Sequence, residues 1–290
     1  MTVLLTGASG FLGTHLLRLA VASGYEVIIF GRQAPAVVTA PNWRFIKGDL
    51  ADGAGLSDIP WETIDRVVHL AAAGVKASRR IWAEAVAVNL VGTQRLLTYI
   101  ANRARRCPAV LMARTSYEAA PDAPAAFRDN PYVVTKAAAT EMIRLWSPQY
   151  AGAVILGTFF QLYGPGDRGG SVLTYVAKSL RAAQPPILGS GQGLRDWLYI
   201  EDAAHAVLAM MAKPAQGLSE FDIGSGELRS LRSMVHSLAE ISGADTRLLN
   251  FDATRDRNDI GFALAARRFP EGWRPQTSVL EGLMKLYEHP

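Results

Sequence analysis

The sequence TGASGFLG at residues 6–13 decides the fold expected of this chain. It follows a short apolar run and leads into residues 11–22, where apolar residues recur at helical spacing. A strand, a glycine-rich turn and a helix in this order begin a dinucleotide-binding βαβ unit. Gly7 permits the tight turn, Gly10 lets the backbone approach a pyrophosphate, and Gly13 lets helix and strand pack closely. A plain strand-turn-helix connection is the alternative interpretation.

From residue 2 to about 158, short apolar or β-branched runs alternate with longer helical stretches, which predicts a parallel sheet covered on both faces. The predicted strands are residues 3–6, 26–30, 43–46, 66–71, 109–113 and 153–159, and the predicted helices include 11–22, 81–105, 131–146, 201–211 and 231–242. After Tyr163, Gly and Pro separate shorter elements. We therefore predict an α/β fold, with a Rossmann-type doubly wound sheet in residues 1–163 and a smaller mixed α/β substrate-binding lobe in residues 164–290, whose chain segments can interleave.

Composition excludes several classes of protein. The chain has 290 residues, is 49% hydrophobic and carries a net charge of +4, so it can bury a full core and lacks the basic excess typical of nucleic-acid binding. Its single cysteine, Cys107, fits a reducing compartment. The N-terminus does not resemble a signal peptide, and charges interrupt the apolar runs before they reach the length of a membrane span. We expect a cytoplasmic enzyme that binds neither nucleic acid nor membrane.

The second predicted strand ends in IIFGRQ, residues 28–33, where an NAD enzyme usually carries an acid for the ribose 2′-hydroxyl. Arg32 could instead pair with a 2′-phosphate through its planar guanidinium, which predicts NADP(H) in preference to NAD(H). A solvated loop residue is the alternative role for Arg32. Asp49 and Leu50, after the third strand, are expected beside the adenine.

Tyr132 and Lys136 form a YxxxK pair that can carry acid–base chemistry. Residues four apart share one face of a helix, and Asn130 and Pro131 have the sequence pattern of an N-cap and first helical residue. The helix dipole and the lysine cation are expected to lower the phenol pKa, so Tyr132 becomes a candidate general acid and base. A tyrosine on a core-facing stripe is the alternative.

These motifs, together with HLAA at residues 69–72, NLVGT at 89–93 and RDWLYIEDAA at 195–204, resemble those of the extended short-chain dehydrogenase/reductase family. The closer resemblance is to its nucleotide-sugar epimerase, dehydratase and 4-ketoreductase branch. GWRPQTSVLEGL at 272–283 resembles the closing segment of that branch, so nearly the whole chain is covered.

The resemblance implies a hydroxyl at the end of the fifth strand, within VLMARTSYEAA at residues 110–120. Matching Tyr117 to the family's tyrosine places Ala113 there, whereas a short shift offers Thr115 or Ser116, of which we favour Thr115. The family's 4,6-dehydratases carry an acidic pair beside this hydroxyl. Because no acid precedes Tyr117 here, we do not expect a dehydratase.

The resemblance also implies the binding residues. The expected cofactor contacts are Gly7, Gly10, Phe11, Leu12, Gly13, Arg32, Asp49, Leu50, Leu70, Ala71, Ala72, Asn89, Lys136 and Phe160. Gln161 and Arg195 are expected to bind the substrate, with Arg274 as a second anchor. His15, His69 and His205 lie on different elements without the spacing of a zinc site, so no metal is expected.

The leading hypothesis is therefore an NADPH-dependent nucleotide-sugar 4-ketoreductase, with Tyr132, Lys136 and Thr115 as its catalytic residues. One alternative is a nucleotide-sugar epimerase with tightly bound NAD. Another is a non-catalytic dinucleotide-binding sensor. The two long helices, residues 81–105 and 131–146, resemble those that pair in family dimers, which predicts a homodimer.

Overall fold

The computed structural model describes residues 1–35, 41–76, 80–119, 129–167, 170–256 and 264–290. The strands in the described part are β1 (Thr2–Thr6), β2 (Glu26–Gly31), β3 (Trp43–Lys47), β4 (Arg66–His69), β5 (Ala109–Thr115), β6 (Ala153–Phe159), β7 (Gln161–Tyr163), β8 (Ile187–Leu188), β9 (Leu194–Tyr199), β10 (Gly217–Ile223), β11 (Leu228–Ser230) and β12 (Asn250–Phe251). The helices there are α1 (Phe11–Ala22), α2 (Trp82–Ala85), α3 (Thr93–Arg103), α4 (Pro131–Trp146), α5 (Val172–Arg181), α6 (Ile200–Ala212), α7 (Leu231–Ser242) and α8 (Val279–Glu288).

Seven parallel strands form the main sheet, in the order β10-β6-β5-β4-β1-β2-β3. β2 and β3 follow on one side of β1, and β4, β5, β6 and β10 follow on its other side. The direction in which successive strands are added therefore reverses between β1 and β4. Such a reversal opens a crevice at the carboxyl ends of the strands, where ligands bind in folds of this kind. The predicted Rossmann-type sheet is confirmed.

The sheet has an apolar core on each face, because its buried strands carry apolar side chains on both sides. One core packs β1, β2 and β6 against α1 and α6, and the other packs them against α3 and α4. The helices on the two faces therefore hold the carboxyl edge of the sheet rigid, and the site is built on that edge.

The smaller lobe contains a three-stranded sheet in the order β11-β9-β7, a two-stranded sheet of β8 and β12, and helices α5, α7 and α8. The chain returns from this lobe to the main sheet, since β10 pairs in parallel with β6. Asp202 on α6 accepts hydrogen bonds from the backbone N–H groups of Gln276 and Thr277, which ties the segment before α8 to the dinucleotide-binding side.

The helix predicted over residues 81–105 is interrupted. Its first and last parts are α2 and α3, but Val86–Gly92 between them is a π-helix, and α3 ends at Arg103. Asn89 explains the distortion, because its side-chain amide bonds the Ala73 backbone and the Thr135 hydroxyl at 2.7–3.0 Å instead of facing solvent. None of the described helices is long and apolar enough to cross a membrane.

Candidate active site

The glycine loop after β1 has the geometry of a cradle for a phosphate group. Gly7 has a φ of +78°, and a Cβ there would lie 2.7 Å from the Ala71 backbone nitrogen. A Cβ at Gly13 would lie 2.1 Å from the Gly7 carbonyl oxygen, so only glycine lets α1 approach the loop this closely. The N-terminus of α1 therefore presents free N–H groups at the crevice, as a dinucleotide pyrophosphate requires.

The far side of the crevice fits an adenosine. Arg32 follows the last residue of β2 with an exposed side chain, and no acid stands beside it. Asp49 closes a turn after β3 by accepting the Ala51 N–H at 2.9 Å, and Leu50 is buried against the sheet. This edge of the cavity therefore carries the exposed Arg32 cation, the residue type that pairs with a ribose 2′-phosphate.

A cavity of about 2080 Å³ runs from this edge across the ends of the strands into the smaller lobe. It brings together most of the residues predicted from the sequence: Gly7, Gly10, Phe11, Leu12, Gly13, Arg32, Asp49, Leu50, Leu70, Ala71, Ala72, Thr115, Tyr132, Phe160, Gln161 and Arg195. Its described lining also contains residues that the sequence reasoning missed, among them Arg18, Lys76, Arg80, Glu84, Asp167, Tyr175, Trp197, Arg255 and Asp256. Many of the missed residues lie in loops, where no periodic pattern marks a side chain as facing a cavity.

Three predicted site residues do not border the cavity in the described structure. Asn89 is buried, and its side-chain amide joins the Ala73 backbone to the Thr135 hydroxyl, so it shapes the helix and the loop beside the cavity. Lys136 is buried behind Tyr132 on α4. Arg274 lies over the Phe269 ring, 4.7 Å from its centroid, and bonds the Trp273 carbonyl oxygen. The structure therefore gives no support to Arg274 as a second anchor.

Tyr132 lies where the sequence predicts it, in the first turn of α4. The Asn130 side chain caps that helix by accepting the Tyr132 N–H at 3.1 Å, and Pro131 is the first helical residue. β5 extends two residues beyond its predicted end, to Thr115, whose side chain lies close enough to the Tyr132 phenol to lower its pKa. Ala113 lines the cavity without a hydroxyl, and Ser116 is buried outside the lining. Of the three candidates, Thr115 is the one beside the tyrosine.

The charge environment of Tyr132 differs from the sequence expectation. Removal from water raises the pKa of the Tyr132 phenol, and the nearby Glu118 carboxylate raises that pKa further, while the Thr115 side chain opposes them. Burial lowers the pKa of Lys136, with Glu118 acting against this effect and Arg114 adding to it. The pKa of Tyr132 is therefore raised where the sequence predicts that it is lowered, and the phenol is protonated at neutral pH.

Two further side chains can donate or accept beside Thr115. The Tyr117 hydroxyl donates to the Gln161 side-chain oxygen at 3.4 Å, and the Tyr117 N–H points to the Thr115 hydroxyl at 3.5 Å. Gln161 thus lines the cavity with its oxygen turned towards Tyr117. Its amide nitrogen is the group that would donate to a substrate oxygen.

The histidines have structural partners. The buried His69 ring accepts from the Thr6 hydroxyl at Nδ1, 2.7 Å away, and its Nε2 lies 3.0 Å from the Thr93 hydroxyl oxygen. His15 contacts the Pro165 carbonyl oxygen and His205 the Glu201 carbonyl oxygen. Within the described ranges, no three His, Cys, Asp or Glu side chains are grouped as a metal site would require.

Comparison with known proteins places this geometry in a family. The model of the NAD dependent epimerase/dehydratase family matches residues 3–224. The chain belongs to this family. It is an enzyme of the nucleotide-sugar group, as the sequence motifs predict.

The relatives carry out different reactions. A dTDP-glucose 4,6-dehydratase of Mycolicibacterium smegmatis is 25% identical over 97% of this chain and 90% of its own length. A dTDP-4-dehydro-6-deoxy-D-allose reductase of Streptomyces bikiniensis is 28% identical over 85% of this chain and 83% of its own. The solved structure of MoeE5 in complex with UDP-glucuronic acid and NAD is 27% identical, with a TM-score of 0.83 over 99% of this chain and 98% of that one.

Proposed function

We propose that this protein is an NADPH-dependent reductase of a 4-keto nucleotide sugar. The observation that carries the proposal is the pairing of Thr115 and Tyr132 at the wall of the dinucleotide-sized cavity, with Arg32 at its adenosine end. The similarity to a reductase of a 4-keto deoxysugar nucleotide supports the reaction class. The nucleotide-sugar complex of MoeE5 supports the substrate class.

Arg32 and the glycine loop support the cofactor. Gly7 and Gly13 pack too closely against backbone to carry a Cβ, and this packing brings the N-terminus of α1, whose N–H groups suit a pyrophosphate, to the cavity. Arg32 supplies a positive charge where an NAD enzyme usually has an acid, and a guanidinium pairs well with a phosphate monoester. These residues would hold NADPH, which supplies the hydride when bound.

The residues of the chain supply the proton that the substrate oxygen receives, and they orient the substrate. Tyr132 is protonated at neutral pH, so its phenol can donate a proton to the substrate oxygen as the carbonyl carbon is reduced. The Thr115 hydroxyl lines the cavity beside Tyr132 and is placed to hydrogen-bond the same substrate oxygen. Arg195 borders the cavity in the smaller lobe, and its guanidinium is suited to the diphosphate of a nucleotide sugar.

An epimerase with tightly held NAD is the second candidate, and it would use the same residues. A dehydratase fits the site less well. Elimination of water needs its own acid and base at the substrate, whereas Glu118, the acid nearest Thr115, is completely buried and lies outside the cavity lining. A sensor that binds the dinucleotide without catalysis would leave the Thr115–Tyr132 pair without a role.

The test begins with release and identification of any co-purifying cofactor, followed by fluorescence titration with NADPH and NADH. We expect a protein without retained NAD that prefers NADPH and oxidises it when a 4-keto nucleotide sugar is added. Arg32→Ala should raise the KM for NADPH much more than that for NADH. Arg44→Ala, which removes an exposed arginine from neighbouring β3, is the matched control. Equal effects of Arg32→Ala on the two cofactors, or tightly retained NAD, would favour the epimerase.

A further inference from the structure

The cavity wall beside Thr115 carries a second phenol that the mechanism above does not use. Tyr117 lies two residues after Thr115, and both side chains line the cavity together with Tyr132. The Tyr117 backbone N–H points to the Thr115 hydroxyl oxygen at 3.5 Å. Tyr117 is half-buried, so its phenol belongs to the wall of the cavity and not to the core. A substrate that reaches Thr115 and Tyr132 would therefore also lie beside Tyr117.

The turn that carries Tyr117 is fixed on two sides. Tyr117 belongs to the short 3-10 helix Ser116–Ala119, which directly follows β5. In this turn the buried Glu118 side chain accepts the Thr115 backbone N–H at 2.7 Å and the hydroxyl of Thr140 on α4 at 2.6 Å. Because the turn is bonded to both β5 and the helix of the proton donor, the position of the phenol is set before a ligand binds.

The partner of Tyr117 lies between the two ends of the expected sugar site. Gln161 is the first residue of β7 and is paired with Trp197 on β9, and Arg195 is two residues before Trp197. All three of these side chains line the cavity. Arg195 is the proposed ligand of the diphosphate on carbon 1, and Tyr132 is proposed to act at carbon 4. A nucleotide sugar that reaches both residues would pass its ring beside Gln161.

The contact between the two side chains leaves a donor and an acceptor side by side. The Tyr117 hydroxyl donates to Gln161 Oε1 at 3.4 Å. Gln161 Nε2 can then donate to another oxygen, and the phenol oxygen, Oη, can accept. A sugar hydroxyl matches this pair, because it donates and accepts through one oxygen. A methylene group in its place would leave both protein groups unpaired, which is costly where water is excluded.

We propose that Tyr117 is a specificity-determining residue that, together with Gln161, recognises the hydroxyl on carbon 3 of the sugar. Carbon 4 of a hexose has two neighbours in the ring, and of these only carbon 3 carries a hydroxyl directly. The substrate class is therefore a nucleotide sugar that keeps its 3-hydroxyl, and 3-deoxy sugars are rejected. The inference rests on the proposed function for the position of carbon 4 beside Thr115 and Tyr132.

The experiment measures binding by calorimetry, so it does not depend on turnover. The probes are UDP-glucose and dTDP-glucose, each compared with its 3-deoxy analogue, and the protein is saturated with NADP⁺, or with NAD⁺ if that cofactor is retained. We expect the native protein to bind the 3-hydroxy probe at least about tenfold more tightly than its 3-deoxy analogue. Tyr117→Phe removes only the phenol oxygen and should bring the two affinities within about threefold of each other, by weakening the 3-hydroxy probe alone.

The ratio of the two affinities separates recognition from structural support. A phenol that only supported the turn would, when removed, weaken both probes equally and leave the ratio native. Gln161→Met keeps the length of the side chain without its amide and should lower the ratio as Tyr117→Phe does, which gives a second test if Tyr117→Phe does not fold. Tyr99→Phe is the matched control and should keep the native ratio, since Tyr99 stacks on Trp61 outside the described cavity lining.

The outcomes also distinguish this inference from the proposed function. If the protein recognises the 3-hydroxyl through Tyr117 but reduces no 4-keto nucleotide sugar with NADPH, the reductase is wrong and the recognition holds for another reaction at carbon 4. If it reduces such a sugar but binds the 3-hydroxy and 3-deoxy probes equally, the inference is overturned and the reductase stands. A native ratio in folded Tyr117→Phe, or in Gln161→Met if the first variant is unfolded, would also overturn the inference. So would a native protein that binds none of the four probes, and the reductase would then be judged by turnover alone.

Discussion

Thr115 and Ser116 are adjacent hydroxyls with opposite surroundings, and this makes them a matched pair. Thr115 lines the cavity together with Tyr132 and lowers the pKa of that tyrosine, whereas Ser116 is buried outside the lining. We expect Thr115→Ala to lower kcat by about 10²-fold, the usual scale for a group that orients proton transfer. Ser116→Ala should leave kcat within about twofold. Steady-state reduction assays check both variants, and native turnover in Thr115→Ala would remove its catalytic role.

His69 illustrates how a buried residue couples folding to pH. The Thr93 hydroxyl donates to the Asn89 carbonyl oxygen at 2.7 Å, so its oxygen accepts from His69 Nε2–H, and the Nδ1 of a neutral ring accepts from the Thr6 hydroxyl. Burial, with a smaller contribution from the Lys136 charge, lowers the pKa of His69 to about 3. A histidine in the unfolded chain has a pKa near 6.5. The stabilisation from the neutral ring is therefore complete above about pH 6.5 and is lost as pH falls toward 3.

The lowered pKa of His69 predicts a measurable dependence of the unfolding free energy on pH. In urea unfolding between pH 6.5 and 4, the native protein should lose up to about 1.4 kcal/mol of unfolding free energy per pH unit through His69 alone. His69→Gln should be less stable at pH 7, and its stability should fall less steeply with acid. His205→Gln, which changes an exposed histidine, should keep the native slope. Equal slopes in all three proteins would contradict the neutral buried ring.

At the scale of one element, the glycine loop and α1 act as a unit. Ala at Gly13 would push its Cβ into the Gly7 carbonyl oxygen, and backbone cannot yield as a flexible side chain does. We expect Gly13→Ala to cost about 1–3 kcal/mol of unfolding free energy and to weaken NADPH binding at least tenfold, because the helix N-terminus must move from the phosphate site. Thermal denaturation and fluorescence titration measure the two effects.

Gly24 is the control for this prediction. It has a φ of +81° but no atom within 4 Å of an added Cβ, and it lies after α1, away from the cavity lining. Gly24→Ala should therefore cost about 1 kcal/mol through backbone strain and leave NADPH affinity unchanged. If Gly13→Ala also leaves that affinity unchanged, the close packing of loop and helix is not what forms the phosphate site.

Across the whole molecule, the sequence predicted what depends on short-range pattern. The glycine spacing located the cradle, the Asn130–Pro131 pair located the start of α4, and the bounds of α4 agree with the structure. The parallel, doubly wound sheet followed from the alternation of strands and helices. These features need only neighbouring residues, so a single sequence contains them.

The rest depends on contacts between distant residues. Glu118 and Glu220 are ordinary acids in the sequence, and Arg114 meets Glu220 only because β5 and β10 flank β6, 106 positions apart along the chain. The sequence gives no sign that Glu118 lies near Tyr132, so the pKa of Tyr132 was predicted to be lowered, whereas it is raised. Asn89 was predicted to contact the cofactor, and the structure shows in addition that its side chain joins the loop at Ala73 to Thr135 on α4 within the π-helix. Both observations depend on three-dimensional packing.

The predicted homodimer would use the outer face formed by α4 and the helical segments of residues 82–103. Leu145 at the end of α4 is 75% exposed, and Trp82 and Val86 are exposed on the neighbouring helical segments. Exposed apolar side chains on packed helices favour burial against a second copy. We expect a dimer by light scattering at micromolar concentration.

Leu145→Glu should convert this dimer to a monomer, because burial of the new charge would be costly. The monomer should remain folded, since residue 145 contributes little to its own core. Leu280→Glu, which changes a leucine that is 58% exposed on α8, is the matched control and should leave the dimer intact. A native protein that is monomeric at this concentration, or a Leu145→Glu variant that stays dimeric, would show that this face is not where two copies meet.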